Sequence, residues 1–518
     1  MPDATYTLLV DWDNNGVFTG TGEDVSSRIQ HLEWSRGRDR ASQLTGRSIA
    51  SRLTAILDNR SGDYSSFNTS SPIAGNIKPG RKVRLQGGSG SFPYTFPIVF
   101  NDKSQFNGYL ESLKPLPSLH GAHKVVLEAE GPLGHFGGNE VRRGMQTSVA
   151  TGTEMKAILD AEGVPTDASH FDAGQTTMTR SWFDRQRLVS ILRQIEVTEG
   201  GFVLENKDGE VAFEDRHHRM TGTPHTTSQA TFSDASGAAR AYTDPQQIDP
   251  VPFIFNDFEA VVQLYTVGSL ATLWTLAETG SASPLLAVGE SKTFWATYPN
   301  PDSGTDAFGV DAWTTPVSTT DYTANTQSGG GGTDRTSDVG VAITKFGEAM
   351  KITLTNNHAS DPIYITLLQS RGTPITRDDP IRINEEDSTS QTDFGKRTWP
   401  SKAKFIPDSQ EALDWAKYNL SIYKDPVPYL HLTIIANRSH NELAEALTRE
   451  ISDRVTIVAN NSANLGINED FYIEAEKHMV TNYGKLHRTT FMLSPVSAFG
   501  GFWALDVGDL DGNTRLAY

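Results

Sequence analysis

The chain has 518 residues, more than one hydrophobic core sustains, because domains stop growing near ~250 residues; three or four domains are expected. It carries 45 Lys and Arg against 63 Asp and Glu, and the formal charge of -18 opposes a sequence-independent grip on nucleic acid, which rests on cations neutralising phosphates. Cysteine is absent, which excludes disulfides, thiolate metal sites and Cys nucleophiles, and no membrane segment is expected, because no run approaches the roughly 18 apolar residues of a spanning helix and MPDATYTLLVDWDNNG does not open like a signal peptide.

With 45 Gly, 25 Pro and many Ser, Thr, Asn and Asp, short elements joined by turns are favoured, which leans toward β structure. TYTLLVDW (5–12) alternates as a strand, DNNG supplies a turn, and SRLTAILDN, KVRLQ, FNGYLESLKPL and HKVVLEAEGPL continue the rhythm to about residue 135. Residues 1–135 are therefore expected to form a first barrel-like domain. Helical spacing follows: Thr151 and Glu154 read as a capping box before Met155, Ile158 and Leu159, ended by Gly163 and Pro165. A second helix is predicted from Ser181, with Asp184 three residues on, presenting Leu188, Ile191, Leu192 and Ile195 before Gly200 and Gly201. FVLENKDGEVAFEDR reads as a hairpin, with Asp208 and Gly209 in the turn and Phe202, Leu204, Val211 and Phe213 on one side. Residues 136–220 then make an α/β insertion, and 221–255 are available to complete the first barrel.

Residues 251–375 contain no helical pattern; FEAVVQLYTV, LATLWTLAE, KTFWATY, VGVAITKF, AMKITLTN and PIYITLLQS predict a β-sandwich insertion. The SGGGG run at 328–332 reads as a loop, since no Lys-Ser or Lys-Thr pair follows at phosphate-cradle spacing. In 376–518, Asp408 and Glu411 cap a helix carrying Leu413, Ala416, Leu420 and Tyr423, while Ser439 and Glu442 cap one carrying Leu443, Ala446, Leu447 and Ile451. With YLHLTIIA, RVTIVAN, DFYIEAEKHMV and HRTTFMLSPV they predict a second barrel-like domain with two helices packed against it. The fold class expected is mainly β with α+β parts: two barrel-like domains, an α/β insertion and a sandwich insertion.

Motifs that carry chemistry are scarce. There is no HExxH, no GxSxG elbow, no P-loop and no dinucleotide fingerprint between a strand and a helix. Asp11, Asp13, Asn15 and Gly16 match the opening of a calcium loop, but the twelfth position, where a bidentate Glu belongs, is Gly22, and Glu23 comes one residue late; a hairpin turn is favoured. His217 and His218, beside Asp215 and Arg216, are poor co-ligands because neighbours on an extended chain point apart, so a solvated strand end is favoured over a zinc site. His440, near Glu442, belongs to a helix cap. No catalytic, cofactor-binding or metal residue is assigned, no cofactor is expected, and no enzyme activity is predicted.

In order along the chain, VDWDNNGVF, EDVSSRI, WSRGRDR, LDNRSGDYSSFN, SPIAGNIKPGRKVRL, AILDAEGVP, EVTEGGFVLENKDGEVAFEDRHHR, ITLTNN, YITLLQSRG, DSTSQTDFGKR, FYIEAEKHMV and HRTTFMLSP are similar to the tail hub or tail-tip proteins of siphophages, the minor tail proteins related to the baseplate hub of contractile tails. The resemblance covers nearly the whole chain. It implies a homotrimer whose two barrel-like tube domains per chain alternate around a pseudo-sixfold ring. It further implies contacts with the distal tail protein, the tape-measure protein and a central spike or fibre, passage of DNA without specific binding, and a place at the virion tail tip after synthesis in the host cytoplasm. No appended peptidase, lysozyme or fibre segment is recognised before the closing DLDGNTRLAY. The alternative is a receptor- or carbohydrate-binding tail protein, motivated by Trp274, Trp295 and Trp313 in the sandwich, which could stack on sugars or fill the core. A depolymerase has only unassignable carboxylates in its favour.

Overall fold

The computed structural model describes residues 4–39, 47–89, 103–116, 123–248, 253–298, 308–346, 348–399, 403–498, 502–503 and 515–516, so most of the closing DLDGNTRLAY lies outside the described residues. The chain is mainly β with α+β parts. It opens with β1 (Ala4–Val10), β2 (Ile29–Asp39), β3 (Arg47–Asp58), β4 (Lys82–Ser89), β5 (Lys103–Leu116) and β6 (Lys124–Glu130), paired antiparallel in the order β1-β4-β5-β6-β3-β2. Alternation places Leu8 and Val10, Val83 and Leu85, and Val125, Leu127 and Ala129 on one face, where they bury with Trp12, Trp34 and Phe106. The half-sheet curls until Tyr6 of β1 meets Trp34 of β2, ring centroids 6.4 Å apart. None of the sheets is joined into a closed barrel by hydrogen bonds among the described residues.

Next come α1 (Pro132–Phe136), β7 (Glu140–Ala150), α2 (Thr151–Ala161), β8 (Thr166–Phe171), β9 (Thr177–Arg187), α3 (Leu188–Glu199), β10 (Phe202–Glu205) and β11 (Val211–Glu214). Helix α2 lies where predicted, but its capping box does not form: Ala150 is the N-cap, the Thr151 hydroxyl donates to Glu199 at 2.6 Å, and Glu154 receives Arg143. Helix α3 starts at Leu188, not Ser181. Residues 181–187 instead pair with β7, Ser181 opposite Gln146, so tertiary pairing overrides the local cap signal. The apolar spacing was right, and Leu188, Ile191, Leu192 and Ile195 are buried.

The hairpin forms, with Gly209 at φ +72° and its amide donating to the Asn206 carbonyl, but its apolar residues do not share one side. Val203 faces Phe213 and Leu204 faces Ala212 across the ladder, so Phe202 and Leu204 enter one core while Val211 and Phe213 enter another. A ribbon buried on both faces carries no polar-apolar alternation to reveal this division.

After α4 (His218–Thr221) come β12 (Thr231–Ser233) and β13 (Asp244–Ile248), within the stretch available to complete the first barrel. They pair with strands of the C-terminal module, whose core takes in Phe232. Strand β14 (Asp257–Val262) follows. The sandwich is built from β15 (Tyr265–Val267), β16 (Ala271–Thr275), β17 (Leu285–Leu286), β18 (Ser291–Thr297), β19 (Phe308–Trp313), β20 (Tyr322–Asn325), β21 (Val339–Lys345), β22 (Ala349–Asn356) and β23 (Ile363–Arg377). Strand β23 pairs with five others, and β18-β22-β21 forms the second layer. The SGGGG run lies in the loop between β20 and β21.

Strand β24 (Ile381–Glu386) returns to pair with β14; α5 (Ser388–Phe394) and α6 (Ser409–Tyr423) follow. Asp408 caps α6, accepting from the Gln410 and Glu411 amides. Its buried stripe is Ala412, Trp415, Ala416, Asn419, Ile422 and Tyr423, turned about one residue from the predicted one, because it packs on the β14–β24 ribbon and not on the C-terminal module. That module consists of β25 (Tyr429–Ile435), α7 (His440–Thr448), β26 (Arg454–Ala459), β27 (Ile467–Thr481) and β28 (Leu486–Pro495) with β12 and β13. Helix α7 is capped by Ser439 and buries Leu443, Ala446 and Leu447 as predicted.

Strand β2 pairs antiparallel with β27, so both modules belong to one 12-stranded sheet. At the joint Gly37, φ +121°, sits opposite Ala475 beside a register shift in the β2–β3 ladder; a Cβ there would lie 2.4 Å from the Ala475 Cα. Gly37→Ala should therefore destabilise the chain by about 1–3 kcal/mol, read as a lower urea midpoint.

Candidate functional site

The β2–β27 joint buries a charge network drawn from three parts of the chain. Period-two alternation puts Trp34, Arg36 and Arg38 on one face of β2 and Glu474, Glu476 and His478 on one face of β27. Register then sets Arg36 opposite Glu476 and Trp34 opposite His478. Arg36 Nε donates to Glu476 Oε1 at 2.7 Å, and its Nη1 reaches Glu450 at 2.6 Å. Arg38 meets Glu474 at 2.8 Å with its guanidinium 3.5 Å above the centre of the Phe202 ring. Arg219, beyond the hairpin, also donates to Glu474, at 2.8 and 3.1 Å, and to the Ser452 hydroxyl.

Lys207, in the hairpin turn, donates to the carbonyls of Leu447 at 3.0 Å and Arg449 at 2.7 Å, at the negative end of the α7 dipole. Burial lowers its pKa. For Glu476 burial works upward, but the Arg36 and Lys207 charges win and hold its carboxyl far below the usual carboxylate range. A network this buried gains little net stability over an apolar substitute, yet losing one partner strands the other charges. The same hairpin is anchored to the first module by Glu205, which accepts from the Ser51 and Leu133 amides at 2.5 Å each and which burial pushes up to about 7.

A neutral chain runs beside the charged one. The Tyr6 hydroxyl lies 2.9 Å from His487 Nδ1, His487 Nε2 lies 3.0 Å from His478 Nδ1, and Trp34 stacks on His478 at 4.5 Å. Burial holds both imidazoles below their usual pKa.

Two groups of side chains have metal-ligand geometry. In the first, Asp11, Asp13 and Glu23 each bring a carboxylate oxygen within 4.8 Å of the others, although Glu23 is one residue late for a calcium loop. The turn is also closed by hydrogen bonds: Asp11 accepts from the amides of Asn15 and Gly16, and Glu23 accepts from Gly20.

In the second group, His170, His218 and His225 each bring a ring nitrogen within 4.8 Å of the others. His218 is thus not a solvated strand end, and its companions are not the adjacent His217. Asp172 holds His218 Nδ1 at 2.8 Å, the Ser452 carbonyl holds His225 Nδ1 at 2.8 Å, and Glu214 Oε1 lies 3.1 Å from His170 Nε2. Burial would raise the Glu214 pKa, but His170 and Arg219 bring it down to about 2. The signal that reasoning from spacing missed is His218-x6-His225 across a turn, with His170 supplied from a separate strand.

In the sandwich, Trp274 and Trp313 are half-buried against the core, while Trp295 is 43% exposed and stacks on Phe346 at 5.5 Å.

Comparison with known proteins gives structural neighbours only: no protein-family model and no curated protein matches the chain. A 43 kDa prophage tail protein from Shewanella oneidensis is 8% identical, with 96% of this chain and 99% of that one covered at a TM-score of 0.46. A tail protein from Neisseria meningitidis is 10% identical, with 95% and 96% covered at 0.47. A component of the Escherichia coli type VI secretion system, described as structurally similar to phage tail proteins, is 7% identical, with 97% and 80% covered at 0.39.

Two outcomes are expected of the joint. Glu474→Gln leaves Arg38 and Arg219 without their shared carboxylate and should cost about 3–5 kcal/mol in denaturant unfolding at pH 7. Because His478 and His487 stay neutral when folded but take up protons near 6.5 when unfolded, their contribution is complete above pH 6.5 and is lost as the pH falls below it. The urea midpoint should therefore drop between pH 7 and 5, and a His478→Gln/His487→Gln variant should show a shallower drop.

Proposed function

We propose that this chain is a structural hub at the tip of a phage tail: a homotrimer whose two sheet modules per protomer alternate around a ring, joining the tail tube to a central spike or fibre and letting DNA through. The β2–β27 pairing carries the reading. Modules from opposite ends of one polypeptide lie edge to edge in a continuous sheet, so each protomer supplies two adjacent wall segments, and three protomers supply six. The order of sequence motifs along nearly the whole chain supports the same assignment. The charge of -18 suits a passage through which DNA slides without adhering. Such a hub positions other proteins, the distal tail protein, the tape-measure protein and the spike or fibre, and has no reaction to perform.

The exposed Trp295, stacked on the half-buried Phe346, favours a second role for the sandwich, stacking on a host glycan. If so, Trp295→Ala should abolish binding in a glycan screen while assembly persists; no glycan bound by the wild-type chain would leave the sandwich purely architectural.

Light scattering of the purified chain should give three times the 56.7 kDa protomer mass, with a ring in projection images. A stable monomer under assembly conditions would overturn the hub assignment.

A further inference from the structure

The histidine cluster lies where the α/β insertion meets the C-terminal module: His170 is on β8, His218 on α4, and His225 in the segment leading to β12. Hydrogen bonding fixes the tautomers of two of its rings. A carbonyl oxygen only accepts, so His225 must carry its proton on Nδ1 to bond the Ser452 carbonyl; His218 likewise presents Nδ1–H to Asp172. Both therefore turn an Nε2 lone pair away from these partners, and His218 Nε2 is buried without a hydrogen-bond partner. This is the arrangement in which a carboxylate or carbonyl orients a metal-ligating imidazole from behind. Glu214, fully buried, has Oε1 3.1 Å from His170 Nε2 and 3.9 Å from His218 Nε2, close to the roughly 3.3 Å that separates ligands around a tetrahedral ion with ~2.0 Å bonds.

We propose that His170, His218, His225 and Glu214 form a structural zinc site that pins the α/β insertion to the C-terminal module. Three imidazoles and one carboxylate suit a borderline dication; calcium and magnesium take all-oxygen shells. On binding, His170 keeps one proton on Nδ1 and presents its Nε2 lone pair to the ion, and any second proton of the His170–Glu214 pair leaves to solvent. Four protein ligands close the shell, so the site braces the fold and leaves no open position for catalysis. The inference stands independently of the trimeric ring.

The test uses the full chain without a histidine tag, stripped with a chelator and titrated with zinc. One zinc per chain by elemental analysis, and a melting temperature raised by several degrees with zinc but not with magnesium, are expected. Asp172→Asn, which alters only an orienting group, should weaken zinc binding by about 10–100-fold, and His225→Gln by at least as much. Should His225→Gln fail to fold, cobalt added to the stripped wild-type chain should give the intense visible bands of a tetrahedral site. A folded wild-type chain that takes up no zinc at micromolar concentration, or zinc uptake unchanged in both variants, would overturn the proposal.

Discussion

The structure turns on one backbone ladder and the charges it buries. Strands β2 and β27 are 440 residues apart at the Arg36–Glu476 contact, and their pairing makes one sheet of two modules that each have their own core. Backbone pairing alone would tolerate a slip, because every strand offers the same donors and acceptors. The side chains do not: a one-residue shift would turn Arg36 and Arg38 away from Glu474 and Glu476, leaving buried charges unpaired at a cost of several kcal/mol. Gly37 adds a steric restriction, since only a residue without Cβ lets the two backbones approach there.

The α/β insertion works as a wedge locked into that joint. Its hairpin is buried on both faces, one toward the C-terminal core and the other toward α2 and α3, and its turn sends Lys207 to the end of α7. Glu205 and Gly209 seat the same hairpin on the first module; a Cβ at Gly209 would lie 2.4 Å from the Asn107 carbonyl oxygen. Glu205, Lys207 and Gly209 thus tie one hairpin and its turn to both modules, through buried ionic groups as well as backbone contact. The sandwich meets the α/β insertion through the Arg180–Asp311 ion pair at 2.7 Å and the edge-to-face contact of Trp182 with Tyr265.

Much of the secondary structure was legible in the sequence because it depends on local patterns. Alternation in TYTLLV and KVVLEAE, the Ser439 and Asp408 caps, and the Gly200 stop all correspond to elements of the fold. The errors occurred where a distant partner outweighed a local signal, as when pairing with β7 absorbed residues 181–187 and Glu199 captured the Thr151 hydroxyl. The charged joint was half visible: Arg36 and Arg38 alternate on one strand, Glu474 and Glu476 on another, at positions where a half-buried strand ordinarily carries apolar residues. Opposite charges at matching period are a pairing signal that a strand-by-strand reading leaves unused.

By itself the sequence determined a mainly β chain without thiols, with strongly acidic balance, with α2, α6 and α7 near their true places and with one motif order along its length. Tertiary structure alone decided that β12 and β13 pair with the C-terminal module, that α6 packs on the β14–β24 ribbon, and that His170 joins His218 and His225 while His217 does not. Periodicity reports which face of an element is apolar, and capping reports where it begins. Neither encodes which remote surface covers that face, because the free energy of burial and of charge pairing arises only when the partners meet.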